Sequence, residues 1–98
     1  MVKIHKILDT TRLRRNPKMV FSEIDGEVVM LSVENGEYYN LNISSSEIWT
    51  QLNETCTFKE LIMYLHNNYD VSQEECENDT RTFIDQGIEK GIIEIIYE

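Results

Sequence analysis

The sequence predicts an α+β fold, a three-stranded antiparallel meander followed by three helices. Three observations carry that expectation. Two tight-turn dipeptides sit between apolar runs, three helix-start signatures precede segments of helical periodicity, and 98 residues are enough for one core shared by sheet and helices but not for two.

The turn dipeptides are Asp25-Gly26 and Asn35-Gly36. Such pairs favour type I′ hairpin turns, in which both central residues take positive φ. The spacing predicts strands over Met19–Ile24, Glu27–Glu34 and Glu37–Leu41, all of ordinary length. Pairing through two-residue turns puts Met19, Phe21, Val28, Met30, Tyr39 and Leu41 on one face, and Val20, Ile24, Val29, Leu31, Val33 and Tyr38 on the other. Neither face is polar, whereas a sheet with one solvated side alternates apolar with polar residues. The second face is therefore expected to be covered by the N-terminal arm, the C-terminal tail, a second subunit or a partner.

Three capping boxes follow: Ser44-x-x-Glu47, Thr57-x-x-Glu60 and Ser72-x-x-Glu75. In each, hydroxyl and carboxylate satisfy orphan amides reciprocally, and the pairs Ile43/Ile48, Cys56/Leu61 and Val71/Cys76 have the spacing of hydrophobic staples. Helices are thus predicted to begin near residues 45, 58 and 73. Phe58, Leu61, Ile62 and Leu65 mark the inward stripe of the second, and Cys76, Thr80, Phe83, Ile84, Gly87 and Ile88 that of the third. Trp49 belongs to the core beside Ile48 on the first. Asn42 is expected to terminate the third strand. Gly91 supplies a C-terminal stop after Lys90, and the tail Ile92, Ile93, Ile95 and Ile96 must return against the helices or the sheet.

Charge divides the chain. Residues 1–18 hold Lys3, Lys6, Arg12, Arg14, Arg15 and Lys18 against Asp9 alone, a net of +5; residues 19–98 hold 17 acids against Lys59, Arg81 and Lys90, a net of −14, and the two give the overall −9. Residues 1–18 are accordingly expected to form a basic N-terminal arm, partly disordered, preceding a folded domain over 19–98. An acidic body repels phosphate backbones and favours a basic peptide or protein partner. No membrane partner is expected, because no long apolar run occurs and Lys3, His5 and Lys6 interrupt the N-terminus. Two cysteines without a CxxC, both at staple positions, suit buried thiols in the cytoplasm.

The chain carries no HExxH, GxSxG, CxxC or GxxxxGKS pattern. Cys56, His66 and Cys76 match no standard zinc spacing and lack an evident fourth ligand, and the carboxylate pairs Glu74/Glu75 and Glu77/Asp79 lie on a helix surface where solvation explains them. No catalytic residue, metal or cofactor is expected.

Asp25-Gly26-Glu27-Val28-Val29-x-Leu31, then Gly36-x-Tyr38-Tyr39-x-Leu41-Asn42, Ile48-Trp49, Asp79-x-x-x-Phe83-Ile84 and Gly91-Ile92-Ile93 together resemble the PqqD-like family of leader-peptide recognition elements, over about residues 12–96. Arg14-Arg15-Asn16-Pro17 and the stand-alone length look most like the form found in lasso-peptide biosynthesis clusters. Thr80 and Gly87 depart from the family pattern, standing where larger aliphatics are usual in the third helix.

The resemblance implies a winged helix-turn-helix-like domain without chemistry of its own. It would bind the leader of a ribosomally synthesised precursor peptide as a fourth strand on 37–41, beside helix 73–90, and present it to a partner processing enzyme, in lasso clusters a leader peptidase. An open edge strand is a template that proteins either protect or use. About four backbone hydrogen bonds at roughly 1 kcal/mol each give only millimolar binding, so side-chain pockets must add affinity. The candidate peptide-binding residues are Glu37, Tyr38, Tyr39, Asn40 and Leu41 on the strand, and Glu75, Asp79, Thr82, Phe83 and Gln86 on the helix. Their acids would hold basic leader residues and their apolar members its anchors. The alternative is a winged helix-turn-helix nucleic-acid-binding or transcriptional regulator, but Glu74, Glu75, Glu77, Asp79 and Asp85 against Arg81 give the third helix the wrong sign for a recognition helix.

Overall fold

The computed structural model describes residues 6–34, 36–68 and 72–97. In chain order it comprises β1 (Arg12–Arg15), β2 (Val20–Ile24), β3 (Glu27–Leu31), β4 (Tyr38–Asn40), α1 (Ile43–Gln51), β5 (Cys56–Thr57), α2 (Phe58–Asn68), α3 (Gln73–Lys90) and β6 (Ile93–Ile96). The architecture is α+β: three helices and two three-stranded antiparallel sheets, ordered β2-β3-β4 and β5-β1-β6.

The meander forms as its turn residues dictate. Asp25 and Gly26 have φ of 52° and 83°, as a type I′ turn requires, and Ile24 pairs with Glu27 directly across it. The second turn is longer than the two residues predicted. Ser32 N–H donates to the Glu37 carbonyl at 2.9 Å and Gly36 N–H to the Ser32 carbonyl at 2.8 Å, so the ladder closes at Ser32/Glu37 and β3 ends at Leu31. A two-residue turn would pair Glu34 with Glu37, and the observed register differs from that by two residues. An even slip leaves every side chain on its predicted face. Val28 and Met30 are indeed buried and Tyr39 and Leu41 pack against the core, while Val20, Ile24, Val33 and Tyr38 are each more than half exposed. The expected cover is missing among the described residues, because neither residues 6–18 nor the tail crosses this second face. Both build the other sheet instead.

That second sheet was not anticipated. Arg12–Arg15, inside the segment expected to be an arm, is its central strand, with Leu13 fully buried while Arg12 and Arg14 point to solvent. The apolar tail returns as β6 along β1, from Arg12↔Ile96 to Arg15↔Ile93. A cross-strand pair, Arg14 Nε to Glu94 Oε1 at 2.9 Å, closes the exposed side and contributes up to about 1 kcal/mol. Residues 1–5 of the expected arm lie outside the described residues.

The helix starts follow the capping signals with one correction. Thr57 and Glu60 form the reciprocal box, with Thr57 N–H donating to Glu60 Oε1 at 2.8 Å and Glu60 N–H to Thr57 Oγ1 at 3.1 Å. Ser72 Oγ accepts from Glu75 N–H at 3.1 Å, and its predicted staple partner Val71 lies outside the described residues. The first helix starts earlier than expected: Asn42 is the N-cap, accepting from Ser45 N–H at 2.8 Å, and Ile43 is exposed, so the Ser44 box and its staple do not form. Asn caps as well as Ser. The earlier start also brings Ser46 to the sheet, where its buried hydroxyl accepts from Val28 N–H at 2.7 Å and donates to the Leu41 carbonyl at 3.2 Å. At the other end of the chain Gly91, with φ of 78°, makes a Schellman stop: Gly91 N–H donates to Ile88 and Ile92 N–H to Gly87.

Between the sheets and helices lies one core of Leu13, Met30, Trp49, Leu52, Phe58, Leu61, Ile84, Ile92 and Ile93. Trp49 takes its predicted place there and donates its indole N–H to the Ile92 carbonyl at 3.3 Å. Arg81, the cation inside acidic α3, serves structure: its guanidinium lies 4.5 Å over the Phe58 ring and donates to the Ile7 carbonyl and to Glu77.

Candidate functional site

Strand β4 is an outer strand of its sheet, and among the described residues it pairs only with β3. Its hydrogen-bond phase follows from its neighbours. Leu41 N–H donates to the Val28 carbonyl at 2.9 Å, and Ser32 N–H to Glu37 at 2.9 Å, so these are bonded pairs. Bonded and non-bonded pairs alternate in an antiparallel ladder. Met30/Tyr39 midway between them is therefore bonded, and in Leu31/Tyr38 and Val29/Asn40 the β4 members turn their N–H and C=O groups outward. The open edge thus presents the backbone of Tyr38 and Asn40, not of Tyr39.

Beside this edge runs α3. A groove of about 440 Å³ separates the two, lined by Tyr38, Tyr39, Asn40 and Leu41 on the strand side and by Phe83, Gln86, Gly87 and Lys90 on the helix, with Asn42, Ser45 and Ile92 closing its ends. Phe83, Gln86 and Lys90 fall at helical spacing on one stripe, so one face of α3 forms the wall. Phe83 is half-buried and shared between groove and core. Lys90 Nζ lies 5.6 Å from the Tyr39 ring centroid, and the Tyr39 hydroxyl donates to Glu37 Oε2 at 3.3 Å, which fixes the ring at the groove mouth.

Of the ten residues expected from sequence, Tyr38, Tyr39, Asn40, Leu41, Phe83 and Gln86 thus line this groove, and Glu37 adjoins it through Tyr39. The other three stand apart. Glu75 and Asp79 border a shallower depression with Ser72, Glu74 and Asn78 toward the start of α3. Thr82 is exposed and donates its hydroxyl to the Asn78 carbonyl at 3.0 Å. Gly87 and Lys90 were missed, although they continue the Phe83 stripe by one and two turns. Asn42 and Ser45 were missed because they enter through the earlier start of α1.

The groove offers hydrogen-bonding backbone, an aromatic and aliphatic floor, and few charges. No converging group of three or more His, Cys, Asp or Glu side chains occurs among the described residues. Cys56 and Cys76 are free, and burial holds both thiols above the usual range, reinforced by Glu60 at Cys56; at Cys76 burial outweighs the opposing Thr80 hydrogen bond, with Asp79 and Glu77 adding to the rise. Both are thereby poor nucleophiles. No helix is long and apolar enough to cross a membrane among the described residues.

Comparison with known proteins places this arrangement. Coenzyme PQQ synthesis protein D (PqqD) is the family whose model matches, over residues 27–93. No curated protein matches the chain. Among solved structures it is similar to TbiB1 in complex with the TbiA(beta) leader peptide, with 28% identity and a TM-score of 0.77 over 87% of this chain and 99% of that one. It shares its fold with lasso peptide synthetase B1 complexed with the leader peptide (23% identity, TM-score 0.72, 84% and 96% covered). The same holds for the PqqD truncation of Methylobacterium extorquens PqqCD, a stand-alone recognition element for ribosomally synthesised and post-translationally modified peptides (14% identity, TM-score 0.72, 91% and 95% covered). With a match that runs from the first residue of β3 to the first residue of β6, and so takes in the open edge and its helical wall, the chain belongs to the PqqD family.

Proposed function

We propose that this chain is a non-catalytic recognition element that captures the leader of a ribosomally synthesised precursor peptide as an added strand on β4. The observation that carries the reading is the outward N–H and C=O of Tyr38 and Asn40, set beside a groove walled by Phe83, Gln86 and Lys90. The similarity to TbiB1, described in complex with a leader peptide, supports it. Two outward residues give at most about four hydrogen bonds, roughly 4 kcal/mol and millimolar affinity, so the groove must supply the rest.

An added strand alternates its side chains. Half would enter the groove against Tyr39, Leu41 and Phe83, and half would extend the open apolar face beyond Tyr38. Glu37 and Gln86 would fix polar leader groups, and Glu75, Asp79 and Thr82 would meet leader residues that run on toward the start of α3. The enzyme to which the leader is presented is, in this reading, a lasso-type leader peptidase. The chain would work in the cytoplasm, where precursors are made and the free thiols Cys56 and Cys76 stay reduced.

The test searches the neighbouring genes for a short precursor and titrates its labelled leader against the protein by fluorescence polarisation. Saturable binding, lost with a scrambled leader, is the expected result; no binding at millimolar peptide removes the proposal.

A further inference from the structure

A second cavity lies away from the groove and shares no lining residue with it: about 530 Å³ among Arg15, Met19, Phe21, Trp49 and the loop Asn53–Thr55. Arg15 is its centre. The guanidinium carbon lies 4.7 Å from the centroid of the Trp49 ring and 4.8 Å from that of Phe21, and the two rings meet edge to face at 4.6 Å. Contacts of this kind occupy the faces of a guanidinium and leave its in-plane N–H donors for an acceptor. The neighbouring cations are engaged, Arg14 with Glu94 and Lys18 with Glu34. Among the described residues no carboxylate pairs with Arg15.

We infer that this cavity is a second binding site, which takes a carboxylate-bearing segment of an acidic protein partner onto Arg15. The guanidinium is half-buried over two aromatic rings, so water screens it less than an exposed cation, and a planar carboxylate can take two of its donors at once. Charge placement agrees. Residues 1–18 carry a net +5 and residues 19–98 a net −14, so the segment that holds Arg15 is the part of the chain with a net attraction for an acidic partner. A phosphodiester backbone extends well past one guanidinium and meets that acidic body, which selects peptide over nucleic acid. Glu54, exposed at the rim, is the single acid in the lining and confines a ligand carboxylate to the Arg15 side. Because the site is separate from the groove, the protein can hold an extended peptide and an acidic partner segment together.

Trp49 is the sole tryptophan and touches Arg15, so its emission reports on the site. The probe is the peptide acetyl-Gly-Glu-Leu-Glu-Gly-amide, with its double Gln counterpart as control. The expected result is a saturable change in Trp49 emission, weakened by salt and at least about tenfold weaker with the Gln peptide. Arg15→Gln should abolish it, with circular dichroism confirming the fold. Amide shift mapping on the unaltered protein covers the case in which that variant fails to fold: perturbation should centre on residues 14–21 and 53–55. Equal response to the Gln peptide, shifts centred on β4 and α3, or equal competition by inorganic phosphate or a short DNA duplex would each overturn the inference.

Discussion

Gly87 of α3 and Ile93 of β6 touch so closely that a Cβ built on Gly87 would stand 2.5 Å from Ile93 Cδ1, 3.0 Å from Cγ1 and 3.3 Å from Cβ. Helix propensity alone argues for Ala here, since Gly costs roughly 1 kcal/mol in a helix interior. Ile93 is almost fully buried and cannot swing aside. The missing side chain is what lets the returning tail pack on α3, and it also opens the floor of the groove.

Gly87→Ala therefore sets the propensity gain against overpacking of about 1–3 kcal/mol, for a net loss of up to about 2 kcal/mol. Melting temperature should fall by roughly 4–8 °C per kcal/mol lost. A higher Tm contradicts the packing role.

Proline scanning of β4 distinguishes its two backbone faces. Asn40→Pro removes an outward donor and spares the β3–β4 ladder, so the fold should persist while leader affinity drops by about tenfold or more. Tyr39→Pro removes an inward donor, costs about 1–3 kcal/mol of stability and should fray the strand. The reverse pattern, binding kept in the first and fold intact in the second, would show the phase to be wrong.

The Thr57–Glu60 box makes stability depend on acid. Hydrogen bonds from Thr57, the backbone amide foremost and its side chain next, hold the exposed Glu60 carboxyl below its ordinary 4.5. A folded value below the unfolded one means the contribution is complete above the unfolded pKa and disappears as pH falls through the folded one. Glu60→Gln should thus cost stability at neutral pH, with the gap to wild type closing as the solution is acidified past 4.5. Parallel Tm profiles would refute it.

Burial raises both thiols, so Cys56 and Cys76 should be alkylated slowly by iodoacetamide at neutral pH while the chain is folded, and quickly once it is denatured. Equal rates in the two states would show that burial does not govern them.

Much of this molecule was legible because its signals are local. Asp25-Gly26, the Thr57 and Ser72 caps and the Gly91 stop each act within a few residues, and each appears where expected. Faces were legible too, since a slip of two residues preserves them. The second sheet was not, because its pairing joins Arg12 to Thr57 and Ile96 through strands of two and four residues, with no turn to announce them. Six groove residues followed from the strand and from the α3 stripe. Glu75 and Asp79 did not, because sequence gives the stripe and not the point at which β4 stops flanking it.

Amide hydrogen exchange of β4 with and without leader peptide bears most directly on the central claim. Strand addition predicts that the Tyr38 and Asn40 amides, open in the free protein, become protected when leader binds, while Tyr39, already bonded to β3, changes little. Saturating leader that leaves Tyr38 and Asn40 exchanging at their free rates would show that the peptide binds elsewhere or not as a strand.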